Sequence, residues 1–291
     1  MSNISINLSK QVFLQGELIK VKIRYQNEDI PMKEGKLSFV GTEKVEFNMQ
    51  SFLGKKGFQP IWGVFLPSRH FTEKIVFLDE SYDINHSGGD TDDIEVEIPT
   101  NAIPSYYGDN SKVSYFLKVE CMNTNNKFIQ EEIEILVDRD YQPVQKEATI
   151  NIEDGTLSLS YSDPLIINAV NVVNITSHNL KMTSPIRFYL TGEETVTASG
   201  VTVNNTLKKL PLGQTFAEED IENFAMEFKI PTKYQHGYEG LQSRVEYNIE
   251  LHYVDIQTRL GVKREKMKKI DQIAVQVDEM KTHTKRKGAN L

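Results

Sequence analysis

Residues 103–120 read IPSYYGDNSKVSYFLKVE, and residues 230–250 read IPTKYQHGYEGLQSRVEYNIE. At an offset of 132, Pro99 falls on Pro231, Val113 on Val245 and Tyr115 on Tyr247. Leu117 falls on Ile249, Val119 on Leu251 and Cys121 on Tyr253. These apolar residues lie two apart with mostly polar residues between them, which is the period of a strand with one buried face. Both strands follow an Ile-Pro and a polar, Gly-containing loop, and proline blunts the strand before it because it cannot donate to a ladder.

A second pair of segments precedes the first. VGTEKV (40–45) matches TGEETV (191–196), with Gly41 on Gly192, Glu43 on Glu194 and Val45 on Val196 at an offset of 151. The alternating runs GKLSFV and IRFYLT lead into them. The offsets differ by 19, so the first half carries about one extra hairpin between Gly41 and Pro99. The chain therefore reads as a duplicated β domain, with a period far too long for a solenoid or a propeller blade. Short strand-like runs bounded by turn residues continue throughout, as expected of antiparallel sandwiches. The one helix-like stretch is TFAEEDIENFAMEF (215–228), a short helix capped by Thr215 or a loop.

The expected fold is all-β: two tandem antiparallel β-sandwich domains, 1–141 and 142–279, followed by a basic flexible tail, 280–291. A chain of 291 residues suits two such domains. The boundary is placed in the polar segment VDRDYQPVQKEA (137–148). Net charge is −8, which does not favour nucleic acid, yet the last 29 residues carry +5. The single cysteine, Cys121, excludes an internal disulfide and sits in a buried strand register, so it reads as a packed thiol. No apolar leader region opens MSNISINLSK, and no apolar run is long enough to span a membrane. The expected location is cytoplasmic, with peripheral contact at membranes.

Residues that announce chemistry are sparse. Six histidines are scattered without H-x-H or H-E-x-x-H spacing, and His252 reads as a satisfied or surface residue. There is no G-x-S-x-G, P-loop or G-x-G-x-x-G. GGDTDD (88–93) offers Asp90, Asp92 and Asp93 to a calcium ion but lacks the EF-hand spacing, and a solvated hairpin tip is the simpler reading. No cofactor, metal or catalytic residue is expected, and the chain is not expected to be an enzyme.

Phe13 to Gly16, F-x-x-G before the strand GELIKVKIRY, and then Ser105, Tyr106, Gly108, Asn110, Tyr115, Phe116, Leu117 and Val119 carry a resemblance. The chain resembles the arrestin superfamily, most closely in motif the arrestin-like subunits of retromer. The likeness is architectural over both halves and covers about 40 residues at motif level. It implies a non-enzymatic adaptor or scaffold that binds cytosolic tails of membrane proteins, or subunits of trafficking complexes. The PPxY motif of α-arrestins is absent, and the polar core of receptor-binding arrestins cannot be placed.

Strand addition and the groove between two sandwiches would be the means of binding. A self-associating regulatory protein of the same fold is the alternative, and an unrecognised enzyme a third reading. Candidate partner-binding residues are Trp62, the sole tryptophan, with Phe65 in the Phe- and Pro-dense stretch 58–71, and Tyr106 and Tyr107 in the loop before the repeated strand. Lys281, Lys285, Arg286 and Lys287 are candidates for weak, salt-sensitive contact with an anionic membrane.

Overall fold

The structure is a computed structural model that describes residues 4–25, 32–48, 69–84, 91–123, 127–139, 141–152, 155–180, 185–207, 209–215, 223–259 and 262–279. It gives the backbone alone at 32, 33, 123, 254–259, 262–266 and 279. The described chain is all-β, in several sheets that are mainly antiparallel and have β-sandwich character. No helix occurs among the described residues; Thr215 ends one strand and Phe224 begins the next, while 216–222 lie outside them.

Two compact units emerge. The first comprises Met1–Asp140 with two later stretches, Thr195–Val203 and Tyr238–Arg244. The second comprises Tyr141–Glu194, Asn204–Gly237 and Val245–Leu291.

The first nine strands are β1 (Ile4–Leu8), β2 (Val12–Leu14), β3 (Leu18–Tyr25), β4 (Met32–Asn48), β5 (His70–Asp83), β6 (Thr91–Glu97), β7 (Tyr106–Tyr107), β8 (Ser111–Asn123) and β9 (Phe128–Asp138). One sheet has the order β1-β3-β6, and the other β2-β9-β8-β4-β5 with β7 on β8. Alternation decides which face is buried. Leu37, Phe39, Val45, Val113, Tyr115, Leu117 and Val119 are all fully buried, and their even-numbered neighbours face outward. Ile19, Val21, Ile23 and Val96 supply the opposing buried face. Each such aliphatic side chain contributes roughly 1.5–3 kcal/mol by leaving water.

The remaining strands are β10 (Val144–Ile152), β11 (Gly155–Asp163), β12 (Leu165–Ile167), β13 (Val170–His178), β14 (Ile186–Ala198), β15 (Val201–Thr206), β16 (Leu210–Thr215), β17 (Phe224–Lys229), β18 (Tyr238–Glu239), β19 (Ser243–Arg259), β20 (Val262–Val275) and β21 (Val277–Glu279). They form the sheets β10-β11-β13-β17, β12-β21 and β15-β14-β19-β18, with β16 on β14 and β20 on β19. Leu157, Leu159, Val173, Ile175, Phe188, Leu190, Ile249 and Leu251 are buried.

The repeat is visible in atomic detail. Tyr115 donates its hydroxyl to the carbonyl of Ile103 at 2.5 Å, and Tyr247 donates to Gln235 at 2.6 Å, each reaching twelve residues back. Gly41 lies under the first tyrosine and Gly192 under the second. A Cβ at Gly41 would come within 2.6 Å of Phe77 and 3.0 Å of Tyr115; one at Gly192 would come within 2.7 Å of Tyr247. The close approach of ring to backbone, not a turn, is what requires glycine at both places.

Candidate functional site

Two arrangements stand out in the first unit, one buried and one exposed. The buried one centres on Glu43, which is fully enclosed. Its Oε2 accepts the backbone N–H groups of Leu241 at 2.7 Å and Gln242 at 3.0 Å, and its Oε1 accepts the Ser243 hydroxyl at 2.5 Å. Three donors to one carboxyl group satisfy its oxygens away from water. Gly240 leaves the room, since a Cβ there would sit 2.5 Å from Oε1. The Ser243 hydroxyl also meets that of Tyr238, which lies 2.7 Å from the Ser111 hydroxyl, and the Tyr238 ring stacks on Tyr106 at 3.9 Å between centroids.

Tyr106 and Tyr238, like Ser111 and Ser243, hold equivalent places in the repeat at the offset of 132. Val45 and Val196, equivalent at 151, share a small apolar cluster with Phe47, Ala198, Phe71, Val201 and Val203. This network holds chain together. Its carboxyl, hydroxyl and N–H groups are bonded to one another.

The exposed arrangement lies on the outer face of the β9-β8-β4-β5 sheet. Cross-strand pairing sets its rows. Phe116 is opposite Glu134 and Val40, and Val40 is opposite Asp79. The next row joins Ser114, Thr42 and Val76. The third joins Tyr107, Lys112, Lys44 and Lys74. A register shift after Gly41 leaves Phe77 without an opposite residue; its ring turns inward, edge-on to Tyr115, and Lys74 stays on the same face as Lys44.

In the middle row Ser114 and Thr42 are small and buried under their neighbours, while Val76 is 54% exposed. The Ser114 hydroxyl, close to Tyr107 and Glu134, makes no hydrogen bond of standard geometry. Glu134 accepts from Tyr107 at 2.9 Å and pairs with Lys112 at 3.0 Å. Burial alone would raise the Glu134 carboxyl, but these partners hold it below the usual carboxylate range. Burial first, and then the bond to Glu134, push the Tyr107 hydroxyl up to about 12. Lys112 also lies 4.8 Å from the Tyr107 ring centre. Lys44 pairs with Glu46, and among the described residues Lys74 has no ion pair.

The outer face of the second unit is different. Glu250 receives Lys209 at 2.9 Å, Lys269 at 2.9 Å and His252 at 3.0 Å, and Lys209 lies 4.2 Å from the Tyr189 ring centre. Burial opposes ionisation of Glu250, but those three bonds override it and bring its pKa down to about 2. Along one side of that unit β10 is an edge strand. All nine of its residues pair with β11 without a register shift, and no described strand takes its other side.

Of the residues singled out from sequence, Tyr107 is 46% exposed and belongs to the outer face, whereas Tyr106 is 1% exposed and its ring packs on Tyr238. Trp62, Phe65, Lys281, Lys285, Arg286, Lys287 and Asp90 lie outside the described residues. Asp92 and Asp93 are in β6, and Asp92 accepts from Tyr25. No group of three His, Cys, Asp or Glu fit to hold a metal occurs among the described residues. No helix among them is long and apolar enough to cross a membrane. Cys121 is buried, which pushes its thiol up to about 11. Glu43 and the lysine row were not singled out from sequence. Comparison with protein-family models finds no match, and comparison with curated proteins finds none.

Proposed function

We propose that the protein is a non-enzymatic adaptor of tandem, arrestin-like architecture that binds extended segments of other proteins. Cytosolic tails of membrane proteins and subunits of trafficking complexes are the intended class. The observation that carries this reading is the edge of β10. A long, unbulged edge strand without proline offers a row of main-chain donors and acceptors, which natural proteins ordinarily blunt. Lys146, tied to the buried Asp163, is the one cation on this strand. An incoming strand gains main-chain hydrogen bonds there, and alternate side-chain positions supply selectivity.

The test is capture of synthetic membrane-protein tails, followed by amide hydrogen exchange of the complex. Slowed exchange confined to 144–152 is expected. Tails that bind without protecting β10, or an array in which none binds, would sink the proposal. Sedimentation across a concentration range separates the self-associating alternative, in which the same amides are protected by a second copy without any added tail.

A further inference from the structure

We infer that the outer face of the first unit is a docking surface for an acidic segment of a protein partner. Lys112, Lys44 and Lys74 receive its carboxylates, and the exposed Val76 beside them meets an apolar side chain. This surface lies on a different unit from β10 and works through side chains, so it does not depend on strand addition.

Like charges directly opposite one another on neighbouring strands are destabilising. Here two such pairs stand side by side, Lys112 with Lys44 and Lys44 with Lys74. The fold could have avoided them, because nothing in the core depends on three exposed side chains. Two anions nearby offset the row in part, Glu134 on Lys112 and Glu46 on Lys44. Lys74, with no described ion pair, sits beside the exposed Val76.

Spacing identifies the partner further. Adjacent strands are about 4.8 Å apart. Side chains three or four apart on a helix are about 5–6 Å apart. An acidic amphipathic helix laid across the strands therefore meets the lysines with successive turns, and its neighbouring apolar stripe falls on Val76, Val40 and Phe116. A flat anionic membrane fits less well. It would bring its charge equally against Asp79 and Glu134, which stand at the two ends of the row that holds Val40 and Phe116.

The experiment uses the full chain and a labelled synthetic helix of roughly four turns, with Glu at every third or fourth position and Leu beside it. A Lys-for-Glu version is the control, and vesicles of phosphatidylserine or phosphatidylcholine form a second arm. The acidic peptide should bind and the basic one should not. The double variant K44E/K74E should weaken binding about tenfold or more, as should V76D, and added salt should weaken the wild type alone. K74E by itself should unfold no earlier in urea than the wild type, because it replaces a like-charged cross-strand pair with an opposite one. Equal binding of both peptides, equal binding by wild type and K44E/K74E, or capture by phosphatidylserine vesicles without peptide binding would each overturn the inference. Failure of tails to protect β10 would leave it standing.

Discussion

The two copies of Gly-x-Glu-x-Val share their interior and differ outside. In both, glycine lies under a tyrosine whose hydroxyl reaches a carbonyl twelve residues back, and in both the glutamate is buried. On the outer face the likeness weakens. Lys112 has a cation in its place, Arg244, but Lys44 is replaced by Thr195 in the second copy, and Lys74 lies in the stretch that makes the first half longer. The second unit instead gathers its cations around Glu250, where opposite charges meet. Packing constraints keep a duplicated core alike, because nearly any change of volume is felt there. Solvated positions are free to acquire separate tasks.

That comparison is broken most forcefully at its glycines. Gly41→Val and Gly192→Val should each destabilise by about 3 kcal/mol, since the new carbons collide with rings that cannot move away without cavities. Urea unfolding checks this, and a large loss at one position only would show that the copies are not equivalent inside. Glu43→Gln keeps the shape but weakens three bonds, and should cost about 2 kcal/mol by the same measurement. Removing one hydroxyl, by Tyr115→Phe or Tyr247→Phe, should cost about 1 kcal/mol each and nearly equally.

The smallest effect concerns charge outside the core. The Glu250 pKa is about 2 in the folded chain, against an ordinary value of 4.5. A depressed carboxyl contributes stability above its unfolded value and loses it as pH falls through the folded one. Wild type should therefore lose stability more steeply than Glu250→Gln between about pH 5 and pH 2. Parallel curves would show that the network contributes nothing.

The strands and their buried faces were legible because period-2 alternation is a local signal. Glu43 was half legible. It stands in the core register between Gly41 and Val45, where a carboxylate is an anomaly, but its donors lie about 200 residues away and no local pattern names them. Tyr106 and Tyr107 had to face opposite ways once they formed a strand. Which of them faced inward depended on the register with β8. The lysine row was invisible for the same reason: Lys112, Lys44 and Lys74 come together only through pairing, and the parity of Lys74 depends on one unpaired residue, Phe77. Thr215 and the acids after it resembled a helix start, but the strands on either side took up the flanking residues.

The separation between Glu43 and Ser243, 200 residues along the chain, has a consequence for synthesis. Translation proceeds at about 5–20 residues per second, so β4 leaves the ribosome roughly 10–40 s before its donors do. During that interval the nascent first unit holds a carboxyl group without its three donors in a wall that includes Phe39, Val45 and Phe47. Hydration of that polar group opposes early closure of this end of the sheet, and the ladder below it can zip first. The last seven residues of the unit, 238–244, then act as a late-arriving latch, so that completion of the first unit reports that most of the second has been made.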